Sequence, residues 1–138
     1  MIGRLRRHDA ERGAAAVEFA LVLPLFLMLL FGMVDFARAF NTQLTLSDAA
    51  AEGARTLAIG GTAAAARSAA NGVLASTLVS PSDVTYPTAV TCPTTAAPGT
   101  ATASMTVATT NFQFLTPLIG SMFDTLTIKG SAARQCSS

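Results

Sequence analysis

An α+β protein carried on one long N-terminal helix is the fold class this sequence predicts, and three patterns predict it. Residues 14–34 hold a single charge, Glu18, in an otherwise apolar run. Residues 35–59 contain no proline and repeat apolar or small side chains at three-to-four spacing, as a helix with one packed face does. Residues 101–107 and 125–129 alternate apolar with polar instead, the period of a half-buried strand.

The apolar run comes first. Its 21 residues, at a rise of roughly 1.5 Å each, cover about 30 Å, the hydrocarbon thickness of a bilayer. Pro24 lies inside it and is tolerated there, because neighbouring helices and local adjustments satisfy the freed backbone group. Composition agrees with a membrane protein: 51% of the residues are hydrophobic, mean hydropathy is +0.48, and only 12% are charged, against about a quarter in ordinary soluble domains. A net charge of +1 gives no field for nucleic acid. Arg4, Arg6, Arg7 and Arg12 cluster before the run, so the positive-inside rule keeps the N-terminus cytoplasmic and sends the rest across. A secretory signal peptide fits less well: the run is longer than a signal core, and Asp35-Phe36-Ala37-Arg38 after it offers no convincing small-residue cut.

The helix is expected to continue past the lipid to about Ile59. Phe36, Phe40, Leu44, Ser47, Ala51, Ala54 and Ala58 form one stripe, and Gly60-Gly61 is the stop. Such a helix, from Ala14, is on the order of 70 Å long. Asp35 and Arg38 are expected to mark the outer membrane-water boundary. Glu52 and Arg55 repeat their spacing, on a solvated face or against a neighbour. Thr62 caps a second helix, Ala63 to about Leu78, ended by Pro81. Val84-Thr85-Tyr86 is a short strand, and 92–100 a loop. A strand from Ala101 runs on toward Phe114, Thr116-Pro117 opens a short helix with Leu118, Ile119, Met122 and Phe123 as its apolar face, and Leu126 and Ile128 belong to a last strand. The domain reading is therefore a leader over 1–13, the membrane helix and its exit over 14–40, and an extracytoplasmic head over 41–138 with a short antiparallel sheet covered by the projecting helix.

Chemistry-bearing residues are few. His8 is the only histidine and lies in the leader, no glycine-rich phosphate loop is present, and the acids form no metal-like cluster, with Asp83 and Asp124 isolated in loops. No enzyme activity, metal or cofactor is expected. Cys92 and Cys136 fall on the outer side, where disulfides persist. They can close one intrachain bridge, worth about 4 kcal/mol in the chain-entropy model, or pair between chains, or stay as thiols. Glu18 is the most informative residue. A carboxylate in a membrane segment costs about 2.5–3.5 kcal/mol on insertion scales. It therefore asks for a cation, and cutting Gly13–Ala14 would make one, the α-amine of Ala14.

The segment Arg12-Gly13-Ala14-Ala15-Ala16-Val17-Glu18-Phe19-Ala20-Leu21-Val22-Leu23-Pro24 resembles the N-terminus of the TadE-like family, pseudopilins of the tight-adherence (Flp-type) pilus system. The resemblance continues through Phe31 to Asn41 and Ala50 to Arg55, and more weakly through Asn111 to Phe114, Pro117-Leu118 and Ile128 to Arg134. It implies a pilin-like head and cleavage between Gly13 and Ala14 by a membrane prepilin peptidase, with Glu18 becoming the fifth residue. Family members usually carry glutamate where this chain has Asp35. The implied function is a minor pilin-like subunit, single-pass in the cytoplasmic membrane, that helps assemble a pilus or secretion apparatus. Its implied partners are the peptidase, other pilin and pseudopilin subunits, the membrane assembly platform and the lipid bilayer. The alternative is an uncleaved single-span protein whose outer head binds another envelope component.

Overall fold

A computed structural model describes residues 5–75, 77, 79–95, 99–110, 112–115, 120 and 126–137, and for residues 5–12 the backbone alone. Of the expected short helix at 117–123 only Gly120, which is helical, is among the described residues; Asp124 lies outside them. The element order is α1 (Leu5–Ala58), α2 (Ala63–Leu74), a single 3-10 turn (Pro81–Asp83), then β1 (Val84–Val90), β2 (Thr102–Thr109) and β3 (Ile128–Gln135). The expected α+β arrangement is borne out: a long apolar helix, a second helix and a three-strand antiparallel sheet in the order β1-β2-β3.

α1 starts nine residues before Ala14, inside the polar leader. The reason is local. Arg and Glu are good helix formers, and a lone Gly13 costs only about 1 kcal/mol. Its end follows the expected stop. Gly60 takes φ of +85°, its N–H donates to the Leu57 carbonyl, and the Gly61 N–H donates to the Thr56 carbonyl at 3.0 Å. That pair of bonds is a Schellman cap, which needs a residue comfortable in the left-handed region. Thr62 then caps α2, its hydroxyl oxygen accepting from the Ala65 N–H. α2 ends at Leu74, four residues short of the expected Leu78.

The sheet differs from expectation at three ends. β1 extends through Pro87 to Val90 because it is an edge strand whose register shifts between Thr85 and Thr88, so the missing proline N–H breaks no ladder bond. β2 stops at Thr109, short of Phe114. β3 begins at Ile128, where the alternating pattern was expected to end, and runs through Gly130-Ser-Ala-Ala to Gln135.

The core forms where the outer part of α1 lies across β2 and β3, with α2 folded back beside it. Leu46, Leu57, Leu74, Met105 and Val107 are its largest fully buried side chains, each worth roughly 1.5–3 kcal/mol. Between them the contact is made by small residues: Ala49, Ala50, Ala54, Ala66, Ala70 and Ala103 are all fully buried. Gly130 lets β3 approach so closely that a Cβ there would overlap the Leu46–Ser47 backbone. A disulfide joins Cys92 to Cys136, with Cα atoms 5.8 Å apart. It ties the loop after β1 to the end of β3, beside Ala58, whose carbonyl accepts from the Ser137 N–H.

Candidate functional site

No described residues form a cleft with convergent catalytic groups, and no group of three or more His, Cys, Asp or Glu among them is placed to hold a metal. What stands out is a surface. α1 contains one segment long and apolar enough to cross a membrane: its most apolar window has a mean hydropathy of 2.4, and none of that window is buried in the protein. Val17, Phe19, Leu21, Val22, Leu25, Phe26, Leu29, Phe31, Met33 and Val34 all face outward. Apolar surface of this extent on every side of a helix is unsuited to water.

Within this segment the backbone is continuous helix across both Gly13–Ala14 and Pro24. Ala14 and Glu18 are four residues apart, so they share one face and lie about 6 Å apart along the axis. Glu18 is exposed, and no charged residue follows it until Asp35, about 26 Å further along the axis. Ala16 and Ala20 leave small side chains near it, which permits close approach of a second helix. Gly13 is open, with no atom near the place its Cβ would occupy.

The far end of the segment is built differently. Asp35 is only 3% exposed. Its carboxylate accepts a hydrogen bond from the Leu115 N–H at 2.8 Å and lies 3.8 Å from an Arg38 nitrogen. Arg38 also donates to the Gln113 carbonyl at 3.4 Å and stacks its guanidinium over Phe112, whose ring meets Phe114 edge-on at 5.1 Å between centroids. Asp35 and Arg38 thus hold the chain after β2 against the helix where it leaves the apolar segment. Their i, i+3 spacing along the sequence is compatible with the ion pair but says nothing of the anchored loop. That contact spans 80 residues and leaves no local signal.

Glu52 and Arg55 form a two-bond pair at 2.9 and 3.1 Å on the outer face of α1. The hydrogen bond from Arg55 holds the Glu52 carboxyl below the usual range. Arg67 sits over the Tyr86 ring, and the Tyr86 hydroxyl donates to the Asn71 side-chain oxygen, joining α2 to β1. Burial pushes the Tyr86 phenol up, against the nearby Arg67 charge. These contacts hold the head together and bring no reactive groups into one place.

The model of the TadE-like protein family matches residues 13–55, the stretch that contains the apolar segment, Glu18, Asp35 and the first part of the packed helix. The match agrees with the resemblance read from the residues over this first part of the chain. Comparison with curated proteins and with solved structures gives no match.

Proposed function

We propose that this chain is a minor pilin-like subunit that is cut after Gly13 by a prepilin peptidase and helps assemble a tight-adherence type pilus or a related secretion apparatus. One observation carries the reading: a membrane-length apolar helix, exposed on all sides, keeps one carboxylate four residues from Ala14, within the stretch that matches the family. In the lipid the helix is a single-pass anchor, with the basic leader in the cytoplasm and the head outside. The Cys92–Cys136 disulfide supports that side for the head, since such bonds persist in oxidising compartments.

The mechanism follows from the charge. Cleavage leaves the Ala14 α-amine at the start of the helix, on the Glu18 face. A neighbouring subunit's Glu18 pairs with that amine when the two apolar helices pack together. Out of water the pair is worth several times its value at a surface. It also fixes axial register, the best-attested use of a buried charge. The peptidase, other pilin and pseudopilin subunits and the membrane assembly platform are the partners this requires.

Glu18→Gln tests it. The variant inserts into the membrane and folds its head as before, but co-purifies with partner subunits and supports piliation far less than the parent. Normal piliation by Glu18→Gln overturns the pairing. The competing reading, an uncleaved single-span protein, draws on the unbroken helix through Gly13–Ala14, which a peptidase must locally open before it can cut.

A further inference from the structure

Lys129 is the only lysine in the chain; the other eight of the nine basic side chains are arginines. It lines a groove between α1 and the start of β3 together with the apolar Phe36, Ala39, Phe40, Leu126 and Ile128 and the polar Gln43 and Thr127. Phe36 and Phe40 are 74% and 54% exposed, so two aromatic rings remain uncovered although the core lies directly above them. No carboxylate among the described residues lies within ion-pair distance of Lys129.

The position of this groove decides what it fits. If the hydrocarbon ends near Val34, Phe36 and Phe40 stand about 3 and 9 Å beyond it along the helix. The headgroup layer on each side of a bilayer is about 5–7 Å deep. Phe36 therefore falls inside that layer, where aromatic side chains settle, and Phe40 stands about 2 Å above it. Lys129, in the lining of the same groove, has a flexible stem and a cationic tip, the arrangement that lets an ammonium contact lipid phosphates. The negative group nearest on the helix, Asp35, is turned inward and bonded to the Leu115 N–H, so it does not face the lipid.

We infer that the base of the head is a lipid-docking surface: the Phe36–Phe40 groove takes the interfacial part of an anionic phospholipid, and Lys129 binds its phosphate. The inference rests on the apolar segment spanning a membrane. The docked groove fixes how the head sits on the leaflet before any partner subunit arrives.

The sole lysine supplies the readout. The full chain is reconstituted in nanodiscs of phosphatidylcholine, or of an equal mixture of phosphatidylcholine and phosphatidylglycerol, and the rate of amine acetylation at Lys129 is followed by peptide mass spectrometry. Acetylation is about fivefold slower in the anionic discs than in the neutral ones, as expected for a lysine held at an anionic surface. Inorganic phosphate added to the detergent-solubilised chain gives no such protection. Phe36→Ser with Phe40→Ser removes the protection while the melting of the head is unchanged. Val90→Ser, at an exposed apolar side chain on the distal end of β1, leaves it intact. Equal rates in both discs overturn the inference, and so does protection that depends on protein concentration rather than lipid charge, which would assign the groove to a second copy. A chain that fails to co-elute with the discs overturns the membrane reading itself.

Discussion

The two halves of α1 are one continuous helix, yet they are made for different surroundings. Between residues 14 and 34 apolar side chains cover every face, and none of the most apolar window is buried among the described residues. Between Leu46 and Ala58 the inward face is Leu46, Ala49, Ala50, Gly53, Ala54, Leu57 and Ala58, all buried, while Glu52 and Arg55 pair on the outside. The first half is apolar in order to meet lipid or other helices. The second is small-sided in order to let its own sheet come close, as Gly53 does against Met105 and as Gly130 does from the facing strand. Hydrophobicity alone therefore does not say where the core is. Side-chain size and the placement of charge do.

That contrast can be broken at several points. The largest expected effect is on the head. Replacing Cys92 and Cys136 with serine opens a 44-residue separation and costs about 4 kcal/mol, read as a lower denaturation midpoint in detergent with the helix content of residues 14–34 retained. Next, Leu57→Ala, at a fully buried position, costs about 3 kcal/mol of head stability. Leu27→Ala, in the apolar half, leaves the head's midpoint where it is. Equal losses from both would show that the halves do not differ as described.

Asp35 lies at the joint. Asp35→Ala leaves the Leu115 N–H without its acceptor and costs about 2 kcal/mol; faster hydrogen exchange at Leu115 is the local signature. The smallest effect belongs to Glu52. Its carboxyl is held below the usual range by Arg55, so the pair's contribution is present above the ordinary carboxylate pKa and is lost as pH falls through the lowered value. Because the pair is exposed, screening keeps that contribution small, and Glu52→Gln leaves the melting midpoint at neutral pH nearly unchanged.

Much of this architecture was legible in the residues, and the exceptions share a cause. The proline-free run after Asp35, the Gly60-Gly61 stop and the Thr62 cap are local signals, and both helices form where they place them; the packed face was misplaced, because Phe36, Phe40 and Leu44 stay exposed while Leu46, Ala49, Ala50, Gly53 and Leu57 turn toward the sheet and α2. The helix start was not legible, because charged leader residues favour helix as readily as solvent. β1 looked shorter than it is because Pro87 reads as a break, and only an edge position with a shifted register excuses it. β3 lacks the β-branched residues that announce a strand in its Gly130-Ser-Ala-Ala stretch. It is a strand because α1 packs on it and demands the small side chains. Asp35 gave its charge and position away but not its burial, which depends on a partner far along the chain. The candidate site was legible in its residue types: Glu18 and the Gly13–Ala14 step stand out by composition, and the groove beside Lys129 emerges only in three dimensions.

The mass of the N-terminal peptide of the protein purified from membranes of its native cells, where the pilus machinery is expressed, tests the central claim most directly. A chain beginning at Ala14, with the free amine that Glu18 of a neighbour requires, is the predicted result. A peptide that still runs through residues 12 to 15 in cells bearing assembled pili would contradict it, and would leave the apolar half of α1 as an anchor alone.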